Sequence, residues 1–444
     1  MCAHISAARL MIVSFLLCLA ASSAHAQKEA KTEKPEPPNY SIAELRQIAD
    51  LALVPPVINT APLPRYDMST QDYVMTLTTE RTPKGRIWAA WIGGEDGPKA
   101  FLLAASSDDN GETWTKPRLV IDGHSPGLPI PRSVIIGNFW TDPLGRLWLF
   151  FDQSMSHFDG RAGLWATLCE NPDAENPTWS PPKRIANGAM LNKPTMLSSG
   201  EWLLPAYLLQ RDGYGPYKPR VFPELDPQRG VNVLASTDQG KTWEPRGIIK
   251  FPNPSWHEAM IVEKKNKQLW MMTRTSKGIM ESFSDDKGRT WTEPAFTAAN
   301  IQNTSARFFF RRLASGNLLL IKNGSDLHKA DTKEDGGRRR KLSAWLSDDD
   351  GVTWKGGLLV EDRAEKRATY PDGFQAPDGT IFITYDYNRG PGQILMARFT
   401  EADILAGKLV SPQSKLKMPV TKPGKKVPKK KKPPAAKTKA ATLP

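Results

Sequence analysis

The stretch SDDKGRTW at residues 284–291 recurs in nearly the same form at three other places in the chain. All four copies follow the pattern Ser-x-Asp-x-Gly-x-Thr-Trp, and the other three are SDDNGETW at 107–114, STDQGKTW at 236–243 and SDDDGVTW at 347–354. In such a turn the Asp, Ser and Thr side chains satisfy backbone groups, the glycine supplies a positive φ, and the tryptophan packs against strands. Four equivalent catalytic centres would be unusual, so we interpret the turn as a structural hairpin on the rim of a larger fold.

A second repeat interleaves with the first and consists of a polar turn followed by an apolar strand. Its six copies lie 49 to 67 residues apart and are centred on Gly85, Gly145, Gly200, Lys267, Gly316 and Gly379. A degenerate fifth tryptophan turn, NPTW, ends at Trp179. Short strands, frequent turns and a period near 60 residues are typical of propeller blades. The sequence therefore predicts an all-β fold, a six-bladed β-propeller spanning residues 42–410.

The N-terminal residues predict export from the cytoplasm. Residues 1–26 combine Arg9, an apolar run at 10–21 and the small-residue sequence AHA before a cleavage point, as in a secretory signal peptide. Lipid attachment at Cys18 is a minor alternative. Cleavage leaves Cys169 as the only cysteine, so no internal disulfide is expected in the secreted or periplasmic protein. Residues 27–41 read as a charged, Pro-rich linker.

The C-terminal residues 411–444 are rich in lysine and proline and predict a disordered tail. Eleven lysines and no acidic residue stand between positions 415 and 444, against a net charge of +13 for the whole chain. The basic balance is therefore mostly a property of the tail. Such a tail suits contact with an anionic polymer or a membrane surface, or is simply a solvated extension. We expect no specific nucleic acid partner.

The repeated tryptophan turn is identified as the Asp-box, or BNR repeat, and four copies in a six-unit β chain resemble the sialidase superfamily. The resemblance covers nearly the whole chain between its two ends. It implies a retaining glycoside hydrolase with a tyrosine nucleophile, a glutamate that takes the phenol proton and an aspartate as acid/base. It also implies three arginines that hold the carboxylate of an anionic glycan substrate.

Three residues match the family pattern most closely. Tyr370, in ATYPDGF, precedes the last polar turn as the nucleophile should, with Pro371 where the family usually has serine. Glu258 and Arg274 lie sixteen residues apart in one unit, ahead of an Asp-box. The resemblance assigns Tyr370 and Glu258 to catalysis and Arg274 to substrate binding. A core tyrosine and a surface ion pair remain the alternatives.

Four further residues are weaker candidates. Asp96, on a glycine-rich loop beside Glu95, is the candidate acid/base. In the run RRR at 338–340 the register before the Asp-box favours Arg339 as a carboxylate ligand, although such a run also suits a solvated turn. Arg307 is a further candidate anion ligand because it stands on an expected inner strand, and Lys193 is another because it enters from a third blade and could supply part of the positive charge.

The chain departs from the family at the first inner strand. Sialidases carry an arginine there in the motif RIP, whereas this chain has no arginine near Tyr73, and Arg65 and Arg81 are out of register. The loss puts sialic acid in doubt while an anionic sugar stays favoured, because a bidentate arginine is the specific reader of a carboxylate. A hydrolase or lyase for a uronate glycan and a non-catalytic glycan-binding propeller remain alternatives.

No metal site or cofactor is predicted, since the histidines are scattered without ligand spacing and no nucleotide-binding motif occurs. His257, beside Glu258, is interpreted as a satisfied structural histidine rather than a group of the site.

Overall fold

The computed structural model describes residues 39–210, 213–330 and 339–425. Within them the chain forms six consecutive antiparallel sheets that are arranged as the blades of a propeller, which confirms the predicted fold class. The predicted signal peptide, nearly all of the linker and the lysine-rich end from 426 onward lie outside the described residues. No helix in the described part of the chain is both long and apolar enough to cross a membrane.

The blades follow the chain in order, and each has its first strand innermost and its last strand outermost. Blade 1 contains β1 (Met75–Arg81), β2 (Ile87–Gly93), β3 (Phe101–Ser107) and β4 (Leu119–Ile121). Blade 2 contains β5 (Arg132–Ser133), β6 (Gly137–Thr141), β7 (Leu147–Met155), β8 (Gly163–Cys169) and β9 (Lys183–Ala186), with β5 and β6 both paired to β7. Blade 3 contains β10 (Thr195–Met196), β11 (Trp202–Leu208), β12 (Gly230–Ser236) and β13 (Glu244–Ile249).

The second half of the ring repeats this plan. Blade 4 contains β14 (Met260–Glu263), β15 (Leu269–Thr275), β16 (Gly278–Ser284) and β17 (Ala295–Phe296). Blade 5 contains β18 (Phe309–Arg312), β19 (Leu318–Asn323), β20 (Leu342–Ser347) and β21 (Lys355–Glu361). Blade 6 contains β22 (Ala368–Gln375), β23 (Ile381–Tyr387), β24 (Gln393–Phe399) and β25 (Lys415–Thr421).

Two α-helices and five short 3-10 helices accompany the strands. Helix α1 (Ile42–Asp50) begins at a capping box in which Ser41 and Glu44 exchange hydrogen bonds. Helix α2 (Glu401–Ala406) begins at the equivalent pair Thr400 and Asp403 and lies between β24 and β25. The 3-10 helices are Leu51–Leu53, Pro64–Tyr66, Met68–Thr70, Gly215–Tyr217 and Pro223–Gln228.

The core lies between adjacent blades. In every blade the strand next to the innermost position (β2, β7, β11, β15, β19 or β23) is buried along its whole length, because both faces of the sheet are covered. Large aromatic side chains join neighbouring blades, as where Trp140 meets Trp202 edge-on at a centroid distance of 4.8 Å. Trp270 and Phe310 pack in the same way at 4.9 Å between blades 4 and 5. A single blade would leave such faces in water, so the ring folds as one unit.

The six polar turns all connect the two innermost strands of a blade, or β6 and β7 in blade 2. In each turn the central residue has a positive φ and donates its backbone N–H to the carbonyl three residues earlier. Lys267 adopts this conformation with φ 73°, where the other five turns have glycine. The predicted repeat therefore has one shared backbone geometry.

The four Asp-boxes close the hairpins between the third and fourth strands, at the rim as predicted. In the box at 284–291 the Asp286 carboxylate accepts from the backbone N–H and hydroxyl of Thr290, while Ser284 Oγ accepts from Gly288 N at 2.8 Å. The other three boxes repeat these bonds. The box glycine also approaches the preceding blade closely: a Cβ on Gly351 would lie 2.2 Å from Trp270.

The degenerate fifth turn uses the same chemistry with different residues. Asn171 takes the place of the aspartate and accepts from Thr178 N at 2.9 Å and from Thr178 Oγ1 at 3.1 Å. Cys169 stands where the other boxes have serine, and its Sγ lies 3.4 Å from Asn171 Oδ1. Trp179 then packs edge-on against Trp88 of blade 1. The single cysteine of the propeller thus belongs to a rim turn.

The predicted start of the tail at residue 411 is wrong. Lys415–Thr421 forms β25, the outer strand of blade 6, and pairs with β24. The strand buries Met418 and Val420, while the lysines at 415 and 417 reach Glu112 and Asp362 on the surface. The lysine-rich composition concealed a short alternation of apolar and charged side chains that is typical of an edge strand.

We expect deletion of residues 415–444 to destabilise the propeller by about 3 kcal/mol, whereas deletion of 426–444 is expected to leave its stability unchanged. The first deletion removes Met418 and Val420 from the core, and burial of each of these side chains stabilises the fold by about 1.5 kcal/mol or more. Thermal and urea denaturation of both truncated proteins measures the difference. Equal stability of the two would show that β25 contributes nothing to the blade.

Candidate active site

Five of the seven predicted site residues line one cavity of about 110 Å³ that receives side chains from all six blades. These five are Asp96, Glu258, Arg274, Arg339 and Tyr370. They stand on or beside strands of blades 1, 4, 5 and 6, more than 270 positions apart at the extremes. Apolar side chains form other parts of the wall, among them Leu77, Ile136 and Leu191. Closure of the ring is what brings these distant residues together.

Glu258 and Arg274 form a buried ion pair at the wall of this cavity. Arg274 Nη1 donates to Glu258 Oε1 at 3.0 Å and to Oε2 at 3.1 Å, and the two side chains are 6% and 1% exposed. Arg274 Nε reaches Ser305 Oγ at 3.3 Å, while Arg339 Nη2 donates to the Ser305 carbonyl at 2.7 Å. Ser305 therefore places two guanidinium groups side by side.

Tyr370 lies on β22 in a strained conformation. Its φ is +59°, which is rare for a bulky residue, and a register shift interrupts the pairing of β22 with β23 between Thr369 and Asp372. Burial raises the pKa of Tyr370, and the charge of Glu258 raises it further, while Arg389 and Arg274 partly offset this. Both oxygens of Glu258 accept from Arg274, and the Tyr370 hydroxyl makes no hydrogen bond to Glu258.

Arg389 is a cavity residue that sequence reasoning missed. Its Cζ lies 4.2 Å from the centre of the Tyr370 ring, and its Nη1 donates to Asp96 Oδ2 at 3.0 Å. Its Nε lies 3.5 Å from Asp386 Oδ2. The segment NRGPG that carries Arg389 resembles an ordinary hairpin loop, so the family pattern gave no signal for it. Trp256 and Tyr207 also line the cavity and were missed.

Arg307 and Lys193, the other two predicted substrate ligands, do not line this cavity. Arg307 is fully buried beneath it and donates to the carbonyls of Leu77 and Leu191 at 2.7 and 2.8 Å and to Asp372 Oδ1 at 2.9 Å. Lys193 Nζ lies 3.0 Å from Glu80 Oε2 and 3.3 Å from Asp372 Oδ2.

These two cations and two carboxylates form a buried ion cluster, which we define as Glu80, Lys193, Arg307 and Asp372. The cluster joins blades 1, 3, 5 and 6 near their inner strands. Both cations are occupied by carboxylates and carbonyls, so neither is free to hold a ligand. Sequence alone does not separate a cation that faces a ligand from one that is paired inside the fold.

His257 is fully buried beside Glu258 with φ 40°, and neither ring nitrogen has a hydrogen-bond partner among the described residues. The interpretation of His257 as a satisfied histidine is therefore wrong in that respect, although its side chain does not line the cavity. Burial lowers the pKa of His257 to about 4, and the charge of Glu258 opposes this shift.

We expect His257 to make the protein less stable as the pH falls from about 6.5 to about 4. In that window the unfolded chain binds a proton on His257 and the folded protein does not, so acidification favours unfolding. The full effect is on the order of 3 kcal/mol. Denaturation of wild type and His257→Gln across this pH range measures it, and the difference between the two proteins should shrink on acidification. A difference in the free energy of unfolding that stays constant with pH would contradict the lowered pKa of His257.

No group of three or more His, Cys, Asp or Glu side chains in the described ranges is placed to hold a metal ion. The ionisable side chains that line the cavity carry two phenols, two carboxylates and three guanidiniums.

A ring of six blades with Asp-boxes on its rim and a charged cavity at its centre defines a BNR-type propeller. Residues 85–383 match the model of the BNR repeat-like domain, and the chain belongs to that family. The resemblance to the sialidase superfamily is confirmed at the level of fold and repeat. No curated protein matches the chain significantly.

Several solved structures share the fold at low sequence identity. An intramolecular trans-sialidase from Ruminococcus gnavus is 15% identical, with 78% of this chain and 98% of that chain covered and a TM-score of 0.58. The leech intramolecular trans-sialidase is 14% identical, with 77% and 70% covered and a TM-score of 0.57. A NanB sialidase variant from Streptococcus pneumoniae is 15% identical, with 76% and 68% covered and a TM-score of 0.53. At this identity the likeness extends to the fold alone.

Proposed function

We propose that the protein is a sialidase-like glycoside hydrolase that removes terminal acidic sugars from an anionic glycan. The observation that carries the proposal is the convergence of Tyr370, Glu258 and three guanidiniums on one cavity. A protein that only binds glycans has no need for a strained phenol next to a carboxylate and two arginines. The signal-like N-terminus supports action outside the cytoplasm.

In the proposed reaction Tyr370 Oη attacks the anomeric carbon while Asp96 gives a proton to the departing glycosidic oxygen. Glu258 accepts the phenol proton as the new C–O bond forms. Water later cleaves the tyrosyl-sugar bond with Asp96 as base, while Glu258 returns the proton to Tyr370 Oη. A neutral phenol suits a sugar whose anomeric carbon carries a carboxylate, because a carboxylate nucleophile would be repelled. Burial of Tyr370, which raises its pKa, keeps the phenol neutral until attack.

The size of the cavity favours attack at a chain end. A volume of about 110 Å³ holds the charged end of one sugar rather than an oligosaccharide. Trp256 borders this cavity and also a wider neighbouring hollow of about 410 Å³ lined by Tyr214. The remainder of the substrate would extend over this aromatic surface, as sugar rings do in many binding sites.

A uronate glycan is the second candidate substrate. The first inner strand lacks the arginine that sialidases use, and Met75 and Leu77 of that strand face the cavity instead. Turnover of aryl glycosides of sialic acid, glucuronic acid and glucose tests both candidates. We expect hydrolysis of an acidic glycoside and none of the neutral one. Absence of turnover with every acidic glycoside, combined with measurable binding of acidic sugars, would favour a glycan-binding propeller.

A further inference from the structure

We propose that Arg389 replaces the arginine that is missing from the first inner strand, and that it couples binding of the substrate carboxylate to release of the acid Asp96. The inference rests on the proposed function, because it assigns roles within the same cavity. Its basis is the position of one hairpin and the contacts of one guanidinium.

The hairpin that carries Arg389 is joined to the start of the first inner strand. Val74 N donates to the Gly390 carbonyl at 3.0 Å, and Gly390 N donates to the Val74 carbonyl at 3.1 Å. This bridge links blade 6 to blade 1, immediately before β1 begins at Met75. Arg389 therefore enters the cavity beside the position where the family has its first arginine, although it belongs to the opposite end of the chain.

Buried side chains hold one side of the Arg389 guanidinium in place, whereas its contact with Asp96 is exposed. Asp386 on β23 is fully buried and supports Nε, while Thr369 Oγ1 accepts from Nη2 at 3.3 Å. The guanidinium also makes a cation–π contact with the Tyr370 ring. Asp96, by contrast, is 41% exposed in its side chain and lies on a surface loop. The Arg389–Asp96 contact is thus the one that a ligand can replace.

The charges of the cavity explain why such an exchange is needed. Glu258 occupies Arg274, and Asp96 and Asp386 occupy Arg389, whereas Arg339 donates only to a backbone carbonyl and has no carboxylate partner among the described residues. An incoming carboxylate reaches Arg339 directly and gains the Nη1 donor of Arg389 by displacing Asp96. Displacement frees the Asp96 carboxylate to take a proton from solvent and to turn toward the glycosidic oxygen, so the acid becomes available when substrate is bound.

Titration of N-acetylneuraminate and glucuronate into four proteins by calorimetry tests the proposal. Arg389→Ala should weaken binding of the acidic sugar that the wild type prefers by about 10- to 100-fold, as expected for lost charge-assisted hydrogen bonds. In Arg389→Ala the additional change Met75→Arg, which places an arginine at the start of β1 in the cavity wall, should recover part of that affinity. Asp96→Asn should bind the acidic sugar as tightly as wild type or more tightly, because it no longer competes as strongly for Arg389, while its turnover falls.

Arg398→Ala is the matched control, since Arg398 lies on β24 of the same hairpin and is paired with Glu112 on the surface. It should bind and turn over like wild type, and thermal denaturation of each variant checks its folding. Unchanged affinity in Arg389→Ala, or weaker binding in Asp96→Asn, would overturn the coupling. Failure of the proposed function itself has a different signature, because the wild type would then turn over no acidic glycoside, whatever the affinity of Arg389→Ala.

Discussion

Replacement of Tyr370 by phenylalanine is expected to lower kcat on an acidic aryl glycoside by about 10³-fold or more, as for other enzymes that lose their nucleophile. The substitution removes one hydroxyl and keeps the ring that stacks on Arg389. Binding of the acidic sugar should therefore survive, since the arginines supply it. Stability should change little, because the phenol oxygen has no hydrogen bond to Glu258 whose loss would leave a buried carboxylate unpaired.

Tyr387→Phe provides the matched control for this experiment. Tyr387 lies on β23 of the same blade, and its hydroxyl is 3.4 Å from Glu365 rather than in the cavity. Its turnover should equal that of wild type. Single-turnover and steady-state kinetics on the three proteins separate chemistry from binding. If Tyr370→Phe and Tyr387→Phe behaved alike, Tyr370 would be a packed side chain and the glycan-binding alternative would gain support.

The architecture could be predicted because each repeat is a local unit. All side-chain hydrogen bonds of an Asp-box form within seven residues, as Ser284, Asp286 and Thr290 show. The motif can therefore be recognised from one short segment of sequence. The spacing of Glu258 and Arg274 is local as well, since both belong to blade 4 and meet across its inner strands.

The errors concern contacts between segments that are far apart in the chain. Arg389 reaches the cavity only because its hairpin bridges to Val74, more than 300 positions away, and no local pattern marks such a bridge. Arg307 and Lys193 have the residue type and position of ligands, but carboxylates from other blades occupy them. The strand at Lys415–Thr421 was hidden by composition, since its lysines face outward while Met418 and Val420 face the blade.

Arg307→Ala is expected to destabilise the propeller by about 3–5 kcal/mol, the usual effect of removing one partner of a buried ion pair. The change leaves Asp372 with one cation instead of two and deprives the carbonyls of Leu77 and Leu191 of their donor. Since Asp372 also accepts from Thr78 Oγ1 and Thr79 N at 2.9 Å, the inner strands of blades 1 and 6 should loosen together.

Urea denaturation of Arg307→Ala beside Lys355→Ala separates a structural role from a ligand role. Lys355 forms an ion pair with Asp348 in which both side chains are more than half exposed, so its removal should cost at most about 1 kcal/mol. Affinity of the folded Arg307→Ala protein for an acidic sugar should stay within a few fold of wild type, because Arg307 does not line the cavity. The opposite result, normal stability with affinity reduced by 10-fold or more, would restore Arg307 as a substrate ligand.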